Sequence, residues 1–382
     1  MRYTYEKEYE NVFDELVERG YYEQATDEAE LKEKLKNEKL TFYCGFDATA
    51  DSLTVGHLIQ IMVMIRMQNY GHKPIALLGG GTTLIGDPSG RSDMRKVMTE
   101  ETIDKNAERF YSQFQRFLEF GEDAAIVENN KKWLTELKFL EFLRDVGNEF
   151  LVGEMLKKDA YKNRMAAGGL TFFEFSYMLL QSYDFLELYR RHNCTLEIGG
   201  SDQWSNIIGG VDLVRKKEND KAYGMTFSLL TTADGVKMGK SQKGAVWLDE
   251  EKTSPYELFQ YMRNVDDRDV TKFLLQLTFL PTEECKKLGS ATDAAEINHA
   301  KEVLAFEVTK LIHGEEKAKE ALDAAKALFA GAGNEDAMPT TEIAKADLPI
   351  GLLQLMTDVG LTQSNGCLLY TSLSGLARQT DH

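Results

Sequence analysis

From Thr41 to about Lys217, short apolar runs alternate with longer amphipathic stretches, and few folds accommodate that alternation. Thr41–Phe46 (TFYCGF) predicts a strand, and Gly56–Tyr70 predicts a helix with a nearly continuous apolar surface. Pro74–Gly79 predicts a second strand, ending in the run Gly79-Gly80-Gly81. Ala124–Val127 and Cys194–Ile198 predict further strands, the latter leading into a helix after Ser201. Strands and helices alternating at this spacing imply a parallel sheet covered on both faces, a Rossmann-like doubly wound α/β fold. Ligands of such sheets bind beyond the carboxyl ends of the strands.

After about Trp247 the strand signals stop. Ser254–Arg263, Asp269–Leu277, Thr282–Leu288 and Ala295–Leu328 have helical periodicity, which predicts an all-α domain after the sheet. Gly331–Asp347 has the small, polar composition of a linker. The expected organisation is therefore 1–247, 248–330, a linker over 331–347 and a short remainder, 348–382.

Composition narrows the function. A formal charge of −17 keeps most of the surface from being a nucleic-acid face, although local basic patches remain open at Arg190-Arg191 and Arg215-Lys216-Lys217. The four cysteines (Cys44, Cys194, Cys285, Cys367) lie far apart, and no His-x-x-x-His pair occurs, so a protein-built metal cage is not expected. Met1–Leu16 suggests an acidic amphipathic helix in place of a basic-then-apolar leader. No apolar run approaches the roughly 18 residues of a membrane span. A cytoplasmic location is expected.

Three segments carry candidate chemistry. Asp51–Leu58 (DSLTVGHL) places His57 in the first turn of a helix, where an imidazole N–H and the free backbone amides favour phosphate. An ordinary helix start capped by Asp51 or Ser52 accounts for the same residues. Lys237-Met238-Gly239-Lys240-Ser241 puts two lysines on a loop that could grip pyrophosphate, or merely decorate a surface turn. A Walker A motif is excluded there because Asp234 stands where its first glycine belongs, and Gly79–Gly90 fails because Asp87-Pro88 replaces Lys-Ser/Thr. Within Thr171–Arg191, expected as one long apolar helix, Tyr177, Gln181 and Asp184 share a face at i, i+4 and i+7. Polar groups so placed must be satisfied by a core network or by a polar ligand. Asp202 and Gln203 follow Gly199-Gly200-Ser201 at another helix start, where capping by Ser201 is the plainer explanation.

Together, in order and spacing, these segments resemble bacterial tyrosyl-tRNA synthetases from about residue 5 to 340. Thr54–His57 stands at the family's His-Ile-Gly-His signature and Lys237–Ser241 at its Lys-Met-Ser-Lys-Ser loop. Tyr43–Asp47, Gly86–Gly90, Gln181–Phe185 and Gly199–Trp204 complete the likeness. The resemblance implies a class I ligase that activates L-tyrosine with ATP and Mg²⁺ and charges tRNA(Tyr), working as a homodimer through the region around 130–175, with Phe172 a contact. It also implies roles. Tyr43 and Asp184 would bind the substrate phenol, and Tyr177, Gln181 and Asp87 its ammonium. Gln203 would lie near the carboxylate and Asp202 near the ribose. Gly45, Asp47, Gly56, His57, Gly200, Met238 and Ser241 would line the ATP site, with Thr49 and Thr54 near the reacting phosphates. Lys237 and Lys240 would hold pyrophosphate, with Arg91 and Arg95 close by.

The chain departs from the family pattern at three places. Thr54 replaces a signature histidine, which predicts slower activation. Gly239 replaces a serine. Leu348–Ser364 is similar to the opening of the family's basic RNA-binding module, but Asn365–His382 does not continue it. A truncated, disordered remnant and weakened tRNA charging are expected from that difference. The alternatives are a catalytically silent paralogue that binds RNA or regulates, a tryptophan-activating relative, and another nucleotidyltransferase. The last does not account for Tyr43, Gln181 and Asp184 together.

Overall fold

The computed structural model describes residues 3–89, 98–241 and 244–329, together with 351, 354, 355 and 357. The chain divides into two compact units, 1–323 and 324–382. The expected linker 331–347, the tail Asn365–His382 and most of 348–364 lie outside the described residues, as do Arg91 and Arg95.

Six strands form the main sheet: β1 Tyr22–Ala25, β2 Thr41–Phe46, β3 Lys73–Leu78, β4 Ile126–Asn129, β5 Cys194–Gly200 and β6 Tyr223–Phe227, in the order β1-β6-β5-β2-β3-β4. All neighbours pair in parallel except β1, which runs antiparallel to β6 at one edge. From β2 the chain builds outward through β3 and β4, then returns to the other side of β2 for β5 and β6. Successive connections therefore leave the sheet centre in opposite directions, opening a crevice at the carboxyl ends of β2 and β5. The central strands are buried: Phe42, Tyr43, Ile75, Leu196 and Ile198 are among the core residues. That burial on both faces is why these strands appear in the sequence as almost unbroken apolar runs.

The helix Leu58–Asn69 is buried almost all round, while Tyr177–His192 packs Phe185, Leu186 and Leu188 into one cluster with Leu213 and Val214 of the helix Trp204–Glu218. Three expectations change. The opening segment is not helical until Val12–Glu18, because Tyr3, Tyr5 and Tyr9 instead bond to Leu311, Glu15 and Thr282. The long helix over Thr171–Arg191 is two, Phe172–Phe175 and Tyr177–His192, separated at Ser176. The helix over Ala295–Leu328 is also two, Ala294–His313 and Glu315–Phe329, interrupted at Gly314. β1 and β6 were not anticipated: YEQA is a short polar edge strand, and Gly224 breaks the apolar signal of YGMTF.

A buried ionic cluster joins the sheet region to the helices that follow. Glu15, 1% exposed, accepts from Arg66 and from Arg19 Nε (3.1 Å), and neither arginine is more than 1% exposed. Further guanidinium donors reach backbone carbonyls and a hydroxyl: Arg66 Nη2 bonds Thr278 O (2.6 Å), Arg66 Nε bonds the Tyr21 hydroxyl (3.3 Å), and Arg19 bonds Leu275 O (3.2 Å) and Leu280 O (2.9 Å). Glu8 adds a second carboxylate to Arg19 (3.1 Å). Buried charges persist only with such complete pairing. Arg66→Met removes one of the two buried cations on Glu15, leaving it Arg19 and the Tyr5 hydroxyl, and is expected to lower unfolding free energy by about 3–5 kcal/mol, read as a shifted urea midpoint. A loss under about 1 kcal/mol would show that the cluster contributes little.

Candidate active site

A cavity of about 880 Å³ opens at the carboxyl ends of β2 and β5. It gathers Tyr43, Gly45, Asp47, Thr49, Thr54, Gly56, His57, Asp87, Tyr177, Gln181, Asp184, Gly200, Asp202, Gln203, Lys237 and Met238 from segments spread over nearly two hundred residues. Every candidate within the described part of the chain is thus placed there except Lys240 and Ser241. Their backbone forms β7 (Lys240–Ser241), which pairs antiparallel with β8 (Gly244–Ala245) near the mouth, and their side chains lie outside the described residues.

The floor is held by a closed series of hydrogen bonds. Tyr177 donates to Asp47 Oδ2 (3.2 Å), Thr82 donates to Asp47 Oδ1 (2.9 Å), and Asn130 Nδ2 donates to Thr82 Oγ1 (3.0 Å). The same Asn130 amide donates to Asp184 Oδ2 (2.8 Å), while Trp133 Nε1 donates to Asp184 Oδ1 (2.7 Å). Tyr177 and Asp184 both belong to the helix Tyr177–His192, so the series leaves that helix and returns to it. Burial pushes the Asp184 carboxyl well above the ordinary range, and the Asn130 and Trp133 donors pull the other way. Gly79 permits the close approach: a Cβ there would stand 2.4 Å from Asp47 Oδ1.

On the opposite wall Gln203 Nε2 donates to Asp87 Oδ2 (2.7 Å), and Asn206 holds the Gln203 carbonyl (3.1 Å). The Ser201 capping expectation does not apply, since the turn Ser201–Gln203 has no side-chain cap. Neither does Asp51 or Ser52 cap the helix near His57. Asp51 pairs with Lys252 (2.7 Å), and Ser52 bonds Leu53 O and Gln113. His57 Nδ1 accepts from Thr54 N (3.0 Å), which leaves the ring proton on Nε2, and the Thr54 hydroxyl also lies 3.0 Å from Nδ1. Burial lowers the His57 pKa to about 4, so the ring is a neutral donor at physiological pH.

Lys237 Nζ reaches Asp202 Oδ2 (3.2 Å) across the mouth. Gly239, the departure from the serine pattern, has φ 101° and lies against Gly56, where a Cβ would approach Gly56 N to 2.9 Å. Glycine therefore lets the lysine loop rest on the turn that carries His57. Asn130, Trp133, Thr82, Gln60, Asn206 and Glu197 escaped the sequence analysis. For Glu197 a signal existed, a lone carboxylate inside the apolar run CTLEI.

A switch-point cavity flanked by a helix-start histidine and Lys237 is a ligand-binding arrangement for this class of sheet. Residues 35–330 match the family described as tRNA synthetases class I (W and Y). A tyrosine–tRNA ligase of Lachnoclostridium phytofermentans is 58% identical over 357 residues, 93% of this chain and 87% of that protein. One of Caldanaerobacter subterraneus subsp. tengcongensis is 61% identical over 335 residues, 88% and 82% of the two chains. A C-terminally truncated mitochondrial tyrosyl-tRNA synthetase of Aspergillus nidulans superposes with a TM-score of 0.74 at 30% identity, covering 84% of this chain and 94% of that one. A tryptophanyl-tRNA synthetase of Encephalitozoon cuniculi shares the fold, with a TM-score of 0.61 at 14% identity, over 80% of this chain and 87% of its own. The chain belongs to the class I tRNA synthetases of the tryptophan and tyrosine branch, and within it to the bacterial tyrosine–tRNA ligases.

His57, His72 and His313 are all lowered by burial to about 4. Their imidazole NMR signals are expected to stay in the neutral form from about pH 8 to 5.5, against a free value of about 6.5. A titration of His57 centred above pH 6 would contradict the buried, neutral donor.

Proposed function

We propose that this chain activates L-tyrosine with ATP, forming tyrosyl-adenylate and pyrophosphate, and then transfers the tyrosyl group to the 3′ end of tRNA(Tyr). The observation that carries the substrate assignment is the pair Tyr43 and Asp184 in the cavity, with the Tyr43 hydroxyl buried and lacking a protein partner. An orphaned buried hydroxyl is costly unless a ligand completes it, and a phenolic O–H does so.

Tyrosine enters with its phenol at Tyr43 and Asp184 and its ammonium at Tyr177, Gln181 and Asp87. Its carboxylate lies near Gln203. ATP lies over Gly45, Asp47 and Gly56, with its ribose toward Gly200 and Asp202 and its phosphates toward Thr49, Thr54 and His57. A carboxylate oxygen attacks the α-phosphorus in line, and the bond to the bridging oxygen breaks. Pyrophosphate leaves as its magnesium complex, the metal belonging to the substrate. No protein nucleophile is required; alignment and donors aimed at the phosphate oxygens lower the barrier. The neutral His57 ring supplies one donor and Lys237 a charge, with Lys240, Met238 and Ser241 completing the loop; Arg91 and Arg95, outside the described residues, are assigned to the same phosphate step. A ribose hydroxyl of the terminal tRNA adenosine then attacks the adenylate carbonyl, releasing AMP. We place this chemistry in 1–247 and tRNA contacts in 248–330.

Amino-acid-dependent exchange of labelled pyrophosphate into ATP tests the reading, with tyrosine, phenylalanine and tryptophan offered in parallel. Tyrosine alone is expected to support exchange; none of the three doing so from folded protein would overturn it. Tyr43→Phe is expected to raise KM for tyrosine roughly tenfold, the effect of one lost hydrogen bond worth ~1.4 kcal/mol, and to narrow the preference over phenylalanine.

A homodimer is supported by an apolar surface on 139–173. Leu140 is 77% exposed and Phe172 67%, with Phe139, Leu151 and Val152 also exposed. A single chain rarely leaves so much apolar side chain in water. Phe172→Asp is expected to halve the mass seen by sedimentation equilibrium, whereas a wild-type monomer at micromolar concentration would refute the assembly. Among the described residues no helix is long and apolar enough to cross a membrane. That observation fits the cytoplasmic location we assign.

A further inference from the structure

Glu197 occupies the middle of β5 and is paired in register with Tyr43 of β2, so the two side chains emerge beside each other on one face of the sheet. Its Oε1 accepts the Gln181 amide at 3.0 Å. Its Oε2 and the Tyr43 hydroxyl are both buried without a hydrogen-bond partner, and both residues line the cavity. Gly210 leaves room for the carboxyl group, since a Cβ there would lie 3.1 Å from Oε2.

We propose that Glu197 is a positioning residue of the tyrosine pocket, setting the direction of the hydrogen bonds that Tyr43 and Gln181 offer the substrate, and that its protonated form is the one that binds. The inference rests on the tyrosine-binding reading above. As a neutral acid, Glu197 donates to the Tyr43 oxygen, and the Tyr43 O–H turns toward the substrate phenol. As a carboxylate it accepts the Tyr43 proton, and the phenol loses its donor. In both states Gln181 Nε2 stays committed to Oε1, which keeps the Gln181 carbonyl free for the ammonium.

The titratable groups that interact with Glu197 are Tyr43 on the same sheet face, Asp184 on the helix behind, and Cys44 and Cys194 on the neighbouring and its own strand; none of these is a cation. Burial raises the Glu197 carboxyl to about 7, opposed by the Gln181 hydrogen bond and by the neighbouring Tyr43 hydroxyl. Tyrosine binding is therefore strongest below that value and weakens as pH rises through it. Near pH 7 the free amino acid keeps its charge: its ammonium loses a proton at higher pH and its phenol near pH 10.

The test is pyrophosphate exchange at saturating ATP, with KM for tyrosine measured from about pH 6 to 8.5. For the unaltered enzyme KM is expected to rise at least threefold with a midpoint near pH 7. Glu197→Gln preserves the acceptor for Gln181 and a donor toward Tyr43 but does not titrate, and it is expected to abolish the rise. Glu197→Leu is expected to raise KM for tyrosine about tenfold at every pH while KM for ATP stays constant. A flat wild-type profile, or an undiminished rise in E197Q, would overturn the inference while leaving the tyrosine reading intact. Absence of tyrosine-dependent exchange at every pH would sink both. Should the leucine variant fail to fold, the wild-type and glutamine profiles decide alone.

Discussion

The buried carboxylate of Asp184 is the constraint around which the pocket is organised. A carboxyl group in the core must receive hydrogen bonds, and Asn130 and Trp133 supply them from the segment after β4. Once Asn130 is held, its carbonyl receives Gly81 N (2.7 Å) and its amide supports Thr82. Thr82 in turn fixes Asp47 at the end of β2, and Tyr177 completes the path back to the helix that carries Asp184. Each member is useful only because its neighbours are placed, which gives the floor one arrangement. Among the unfilled positions, the Tyr43 hydroxyl and Glu197 Oε2 lie side by side, open to a ligand or to each other.

The mouth is organised differently. There the backbone decides the geometry, with Gly239 lying on Gly56 and its amide received by the Tyr261 hydroxyl (3.1 Å). Charged groups at the mouth are half-exposed, as Lys237 and Asp202 are, so their pairing is weak and exchangeable. A rigid floor and a loosely paired rim suit the reaction we propose, in which pyrophosphate must leave while the adenylate stays. The Glu15, Arg19 and Arg66 cluster stands behind this arrangement. It ties the buried helix that follows His57 to carbonyls of the helical region, so the turn bearing His57 has a fixed support.

The central strands, the helix after His57 and the change from sheet to helices near Trp247 were legible in the sequence, because burial leaves a periodic trace in hydrophobicity. The motifs around Tyr43, Asp87, Asp184 and Asp202 were legible as a family resemblance. Their convergence follows from strand order, which no local pattern specifies: β5 lies beside β2 only because the chain returns across the sheet. The edge strand β1 was missed because YEQA owes its conformation to pairing with β6 rather than to its own residues. The breaks at Ser176 and Gly314 were missed because apolar periodicity passes through them.

The amino-acid order by itself determined a parallel α/β sheet, a helical continuation and the side chains we assign to tyrosine and ATP. It did so because burial and helix or strand period are local properties. Only the tertiary structure decided that Asn130 and Trp133 complete Asp184, that Thr54 engages His57, and that Glu197 Oε2 is left without a hydrogen bond beside Tyr43. Those are distances between atoms far apart in the chain. Hydrogen bonding in a dry interior depends on such distances and not on composition.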